Sequence, residues 1–393
     1  MLSKFIGSVF IVAGISIGAG MLAMPLTAGF IDYPTCLLTL FIFWVVMYYA
    51  TLINLEATLR IGQCVSTSEI TTMLFGRTYG TIVSLSYGTL LLSLVAAYIA
   101  GETSLIQSAL NTYIHLSPSL ISIIFTITFG LIIYAGISKL DRFNRLFLSL
   151  KFIFLACMIF FLSRHIEISN LESREAFSWN QWSILLPVFF TSFGFQVCIP
   201  YLVNYCEYDT KLLRGVIFAG TLIPFLAYAI WLFVAKGTLP LEGSLSFTQL
   251  RAQGGGVGPF IDMLSLYTGS LEVKLFNMGY SLLAMTTSFL GVGMALYLFV
   301  GEKFSNLTQK NSLITLTISF LPAWLIVQLY PEGFVMALKY AGSFLSIFAL
   351  IAPAACVWKL RSNQDSTPYE APGGKMGLVT ILIIGIVFAW LGI

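Results

Sequence analysis

Apolar residues fill this chain in long runs, separated by short clusters of charged and turn-forming residues. The runs fall at approximately 5–30, 35–59, 81–112, 118–138, 145–163, 182–206, 214–236, 274–300, 312–330, 333–358 and 377–393. Most are near the roughly 20 residues a helix needs to cross a bilayer, and all exceed the about 10 residues of a barrel strand. Lipid offers no partner to an open backbone amide or carbonyl, which leaves helices as the only way to bury such runs. The pattern predicts an all-α integral membrane protein with eleven transmembrane helices. Two connections are long enough to hold structure. Residues 60–80 (RIGQCVSTSEITTMLFGRTYG) predict a short amphipathic helix. Residues 237–273, with GGGVGPF at 254–260, predict an irregular covering segment, either a lid or a passive connector.

Composition agrees with the pattern. The chain is 58% hydrophobic and 9% charged, against about 25% charged in a soluble domain. A net charge of +3 with no basic block speaks against a nucleic-acid partner. Placing the N-terminus in the cytoplasm puts fourteen of the 20 Lys and Arg residues on the inner side, including Lys4, Arg60, Lys139, Arg142, Arg145 and Lys310. Only Arg164, Arg174, Lys236, Arg251, Lys274 and Lys339 then face outward, the imbalance of a cytoplasmic N-terminus and an external C-terminus. The first run is too long for the core of a cleaved signal and reads as a retained helix. Six cysteines, Cys36, Cys64, Cys157, Cys198, Cys206 and Cys356, form no C-x-x-C pair and read as buried reduced thiols. The two histidines, His115 and His165, lie in no metal motif, and there is no phosphate-binding loop. Neither an enzyme, an ATP-driven pump, a metal nor a cofactor is expected.

Two runs carry matching interruptions. IGAGMLAMP spans Ile17 to Pro25 and SFGFQVCIP spans Ser192 to Pro200, both nine residues ending in proline, 175 positions apart. Glycine permits close backbone approach and proline removes an amide donor, so helices one and six are expected to break at mid-membrane. Paired breaks are the signature of inverted-repeat carriers. The corresponding division is a single transporter domain over 1–393, with repeat one at 5–163, repeat two at 182–358 and an additional helix at 377–393. Freed amides at the start of one half-helix suit a carboxylate, and freed carbonyls at the end of another suit an ammonium or cation. A zwitterion meets both demands, whereas a channel has no need of them.

The stretches GISIGAGMLAMPL (Gly14 to Leu26), LPVFFTSFGFQVCIPYLVNY (Leu186 to Tyr205) and TTSFLGVGMALYLF (Thr286 to Phe299) resemble the bacterial hydroxy/aromatic amino acid permeases. The resemblance runs the length of the chain. It implies the leucine-transporter fold of the amino acid, polyamine and organocation superfamily: a 5+5 inverted repeat with broken helices 1 and 6, plus one C-terminal helix. It also implies a multi-pass protein of the bacterial inner membrane. The implied activity is proton-coupled symport of an aromatic amino acid, L-tyrosine first, by alternating access, with protons and the lipid bilayer as the other partners. Nothing in the sequence specifies an oligomer. A sodium-driven carrier, or one for tryptophan or a wider set of neutral amino acids, is the alternative. Where the family usually has histidine after FGF, this chain has Gln196, whose amide does not titrate near neutral pH.

The expected substrate-binding residues are Ile17, Gly18, Ala19, Gly20 and Met21, whose backbone would meet the carboxylate, and Phe193, Gly194, Phe195 and Gln196, for the ammonium and side chain. Tyr98 joins them because the fold places a third-helix tyrosine near substrate. Glu102, four residues on and on the same helical face, is expected at a cavity or partner rather than at lipid. Lys151 closes GISKLDRFNRLFLSLK (Gly136 to Lys151), a pattern resembling superfamily members in which a fifth-helix lysine approaches the broken first helix. Lys151 and Glu102 are the proton-coupling candidates, against a lysine that merely snorkels to the inner surface. Thr286, Thr287 and Ser288 can supply oxygens to a cation or bond within their own helix.

Overall fold

The computed structural model describes residues 2–62, 65–110, 114–135, 137–172, 175–176, 178–304, 312–362 and 369–392, without the side chains of residues 3 and 137–145. Cys64, Arg174 and Lys310, and the side chains of Lys139, Arg142 and Arg145, lie outside the described residues. Among the described residues every regular element is helical. The first half of the chain holds α1 (Leu2–Ser16), α2 (Ala19–Ala28), α3 (Tyr33–Ile61), α4 (Thr67–Phe75), α5 (Arg77–Leu110), α6 (Pro118–Tyr134) and α7 (Ile137–Leu162). The short α8 (Ile168–Glu172) leads to α9 (Trp179–Thr191), α10 (Ile199–Tyr205), α11 (Thr210–Thr238), α12 (Phe247–Ala252), α13 (Val257–Thr268) and α14 (Leu271–Lys303). The chain closes with α15 (Ser312–Leu329), α16 (Phe334–Ser346), α17 (Ala352–Ser362) and α18 (Gly374–Leu391).

Nine described spans are long and apolar enough to cross a membrane, counting α9 with α10 and α16 with α17 as one each. α1 and α2, bent by 47° across their break, make a tenth. The span expected at 118–138 is α6, which at 17 residues falls short of that length. Large apolar side chains cover the outside, among them Leu38, Ile153, Leu325 and Trp390, as a lipid-facing surface demands.

Local chemistry fixes the ends. Asp32 caps α3 by accepting from the Thr35 amide, and α3 stops at Gly62, whose φ of 68° is the left-handed conformation glycine tolerates best. α4 occupies the segment expected to be helical within 60–80 and starts from a reciprocal capping box between Ser66 and Glu69. The segment expected to be irregular at 237–273 is instead largely helical: it holds α12 and α13, separated by Gly254 and Gly255 with φ of 92° and 69°. α13 lies directly on α5, its Gly258 amide donating to Ser104 Oγ at 3.1 Å and Ser108 bonding both the Gly258 carbonyl and Asp262. A Cβ on Gly258 would come within 2.2 Å of the Ser104 carbonyl, so the two backbones touch.

At the opposite ends of the spans a buried carboxylate gathers three elements. Glu56 on α3 accepts from Arg60, from Arg361 of α17 through both oxygens, and from the Ala371 amide that precedes α18. A charge this deep survives because it is multiply paired. It holds the last helix to the rest. The five described cysteines are free thiols, four of them buried.

Candidate functional site

The site is built where α1 stops. α1 ends at Ser16, α2 begins at Ala19, and Gly18 between them has extended backbone, φ −145° and ψ −149°. None of Gly18, Gly20 and Gly194 has the left-handed torsion that glycine alone favours. Their value is closeness: a Cβ would lie 2.5 Å from Ser288 Oγ at Gly18 and 2.5 Å from Ser192 Oγ at Gly20. The second interruption falls at residues 192–195 between α9 and the 3₁₀ turn Gln196–Cys198 that leads into α10, with Pro200 in the first turn of α10. Gly20 thus brings the two interruptions into contact.

Polar side chains from other spans collect the backbone groups that the breaks release. Lys151 of α7 is 1% exposed, and its ammonium donates to the carbonyl of Ile17 at 2.7 Å, with Gly14 O at 3.4 Å. Tyr228 of α11 directs its hydroxyl at the carbonyls of Ser16 (2.5 Å) and Ser192 (2.8 Å), so one side chain joins the ends of α1 and α9. Trp231, one turn along, donates to Met21 O at 2.9 Å. On α14, Ser288 Oγ accepts from the Ala19 amide at 3.4 Å, at the start of α2. Lys236 donates to Gly29 O at the far end of α2, where a helix favours a cation.

A cavity of about 720 Å³ opens beside the break, lined by Gly14 of α1, Tyr98 of α5, Lys151 and Phe152 of α7, and Ser288 and Ala295 of α14. Every α1 residue lining it precedes the break, so it lies on the membrane side that carries the N-terminus of α1. A smaller space of about 80 Å³ adjoins it at the break itself and touches Gly18, Ala19, Gly20, Ser192 and Gly194. The two share Tyr98 and Ser288.

A family model for the tryptophan/tyrosine permeases matches residues 1–391. The chain belongs to the tryptophan/tyrosine permease family. Curated relatives agree. The tyrosine-specific transport system 1 of Haemophilus influenzae is 32% identical, over 98% of this chain and 95% of the relative. The tyrosine-specific transport system 2 of the same organism is 31% identical over the same shares. A tryptophan-specific transport protein of Pseudomonas aeruginosa is 28% identical over 98% of this chain and 93% of the relative. This is a multi-pass membrane permease, not an enzyme.

In the permease, Gly18, Ala19, Gly20, Tyr98, Lys151 and Gly194 converge on the joined cavities. Ile17 and Met21 sit at the break, but their carbonyls are taken by Lys151 and Trp231. Phe193, Phe195 and Gln196 do not line either space. The Phe193 ring packs edge-on against Tyr228 at 5.3 Å, and Gln196 turns to α3, its amide 3.4 Å from Thr51 Oγ1 and 3.7 Å from Met47 Sδ. Val197 occupies the wall instead. Glu102 is buried and accepts from Thr286 at 3.1 Å. Thr287 bonds within its own helix, to Leu283 O and Ala284 O.

Sequence reading missed Tyr228 and Trp231. Their spacing of three places both on one face of α11, but nothing in an apolar span rich in aromatics marks that face as the one meeting the breaks.

Proposed function

We propose that this permease is a proton-coupled symporter that imports an aromatic amino acid, tyrosine first, across the bacterial inner membrane by alternating access. The observation that carries the reading is the buried Lys151 ammonium on the Ile17 carbonyl, at the edge of a cavity large enough for an amino acid. A fixed cation there disfavours sodium by like-charge repulsion. It also provides a proton site that a change of access can expose and bury in turn.

Support for the eleven-span, leucine-transporter-type fold comes from echoes between the halves. Counting α6 as a span gives five in 5–163, five in 182–358 and α18 beyond them. Interruptions fall in the first span of each half, and a short helix follows the second span of each, α4 in one and α13 in the other. In this arrangement the carboxylate docks on the first-turn amides of α2 at Gly18 to Gly20, where the macrodipole favours an anion. Tyr98 faces the aromatic ring. The cavity on the N-terminal side, with α13 packed on α5 at the other, corresponds to an inward-facing state.

The names of the relatives support tyrosine before tryptophan. The test is uptake of labelled tyrosine by proteoliposomes under an imposed pH gradient without sodium, with tryptophan, phenylalanine and glutamine as competitors. Saturable uptake blocked best by unlabelled tyrosine is expected. Uptake that appears only when sodium is added overturns proton coupling, and stronger competition by tryptophan reassigns the substrate.

A further inference from the structure

One face of α14 is unlike its others. Asn277, Ser281, Ala284, Ser288, Gly291 and Ala295 recur at helical spacing and share that face. Its later half is open: Ser288, Gly291 and Ala295 line the large cavity. Its earlier half is shut, with Asn277, Ser281 and Ala284 all 0% exposed.

The shut half is polar and unsatisfied. Neither amide atom of Asn277 nor the hydroxyl of Ser281 has a hydrogen-bond partner among the described residues. The second oxygen of Glu102, on the adjoining α5, is likewise unpaired. A buried polar group left without a partner keeps the full cost of its lost hydration, and native chains keep few of them. A helix that needed only to pack would place alanine or leucine at 277 and 281. Neighbouring faces of the same helix pack without polar groups: Phe276 stacks on Phe161 at 5.2 Å and Gly279 meets Phe154.

We propose that Asn277 and Ser281 line the outer half of the substrate route, where their polar groups meet water and the passing zwitterion once α13 lifts from α5. The stripe that lines the cavity below the break continues above it, and in this conformation its polar members are left without partners because the route there is closed. The proposal rests on the carrier reading for the identity of the solute, but not for the opening of the face.

The test is labelling from outside. Asn277→Cys and Ser281→Cys, made in the full chain and held in right-side-out vesicles, are treated with a membrane-impermeant charged maleimide alongside the unsubstituted protein, which reports labelling of native cysteines. Phe276→Cys serves as the control on a neighbouring face and Arg251→Cys as the exposed positive control. Labelling at 277 and 281 severalfold above the unsubstituted protein, slowed by saturating tyrosine, with Phe276→Cys at background, is expected. If both positions stay at background in protein that still takes up tyrosine while Arg251→Cys reacts, the proposal is overturned, and the orphan atoms belong to closed packing or trapped water. Should one substitution prevent folding, the other decides. Labelling at both positions in a protein that moves no tyrosine would sink the substrate assignment and leave the open face standing.

Discussion

Lys151 and Gly20 act at opposite edges of the same backbone break. The Lys151 ammonium is a full hydrogen-bond partner for the Ile17 carbonyl, 2.7 Å away. Lys151→Met keeps the stem and removes the donor, leaving a buried carbonyl short of its partner at a cost of about 1–3 kcal/mol. The expected outcome is protein that still exchanges tyrosine for tyrosine across the membrane but no longer accumulates it on a pH gradient. A counterflow assay run beside gradient-driven uptake checks this, and loss of both activities in folded protein would contradict a coupling role. At Gly20 the limit is space. The Cβ added by Gly20→Ala would sit 2.5 Å from Ser192 Oγ, an overpacking that typically costs about 1–3 kcal/mol. Because it wedges the two interruptions apart, uptake should fall at least about tenfold for each 1.4 kcal/mol taken from the competent geometry. Wild-type uptake by Gly20→Ala at equal expression would show that this contact is dispensable.

At the scale of elements, α11 works as a strut. Tyr228 joins the carbonyl ends of α1 and α9, and Trp231 holds α2 through Met21. Tyr228→Phe preserves the ring and its packing on Phe193 while removing the one hydroxyl proton that the Ser16 and Ser192 carbonyls share. Thermal melting in detergent should show a lower Tm for Tyr228→Phe than for the unsubstituted protein, and an unchanged Tm would mean other donors fill in. These contacts also show what a sequence does and does not carry. Run length is a local property, so nine or ten of the eleven expected spans were legible, and the glycine and proline clusters lay close to the interruptions at 17–18 and 192–195, although Pro25 and Pro200 themselves sit inside α2 and α10. The direction of side chains inside the second interruption was not. Residues 192–195 follow no helical period, so nothing along the chain told that Gly194 and Val197 would face the cavity while Phe193, Phe195 and Gln196 turned away. Likewise the glycines at 254–256 read as irregular chain, although two of them only turn the backbone between α12 and α13.

Over the whole molecule, charge is confined to the ends of spans, to paired clusters and to a few buried groups. One cluster joins Glu56, Arg60, Arg361 and Glu370 and ties α3, α17 and the approach to α18. Removing one member of a buried pair leaves an uncompensated charge, which costs about 3–5 kcal/mol. Glu56→Ala should sharply reduce the yield of folded protein. Pairing it with Arg361→Met should recover part of that loss, because the two positions share one interaction and their effects do not add. Size-exclusion profiles of the single and double variants give the answer, and equal damage in both would remove the ion pair from the explanation. Such long-range partnerships were invisible in the sequence, where Glu56 and Arg361 stand 305 positions apart.

Joint entry of proton and aromatic amino acid through the Lys151 cavity, as proposed above, can be read in proteoliposomes that trap a pH-sensitive dye in sodium-free buffer, with tyrosine added outside. Internal acidification that follows tyrosine, saturates with it and disappears in Lys151→Met is the predicted result. Tyrosine entry with no proton movement, or entry that starts only when sodium is supplied, would contradict it.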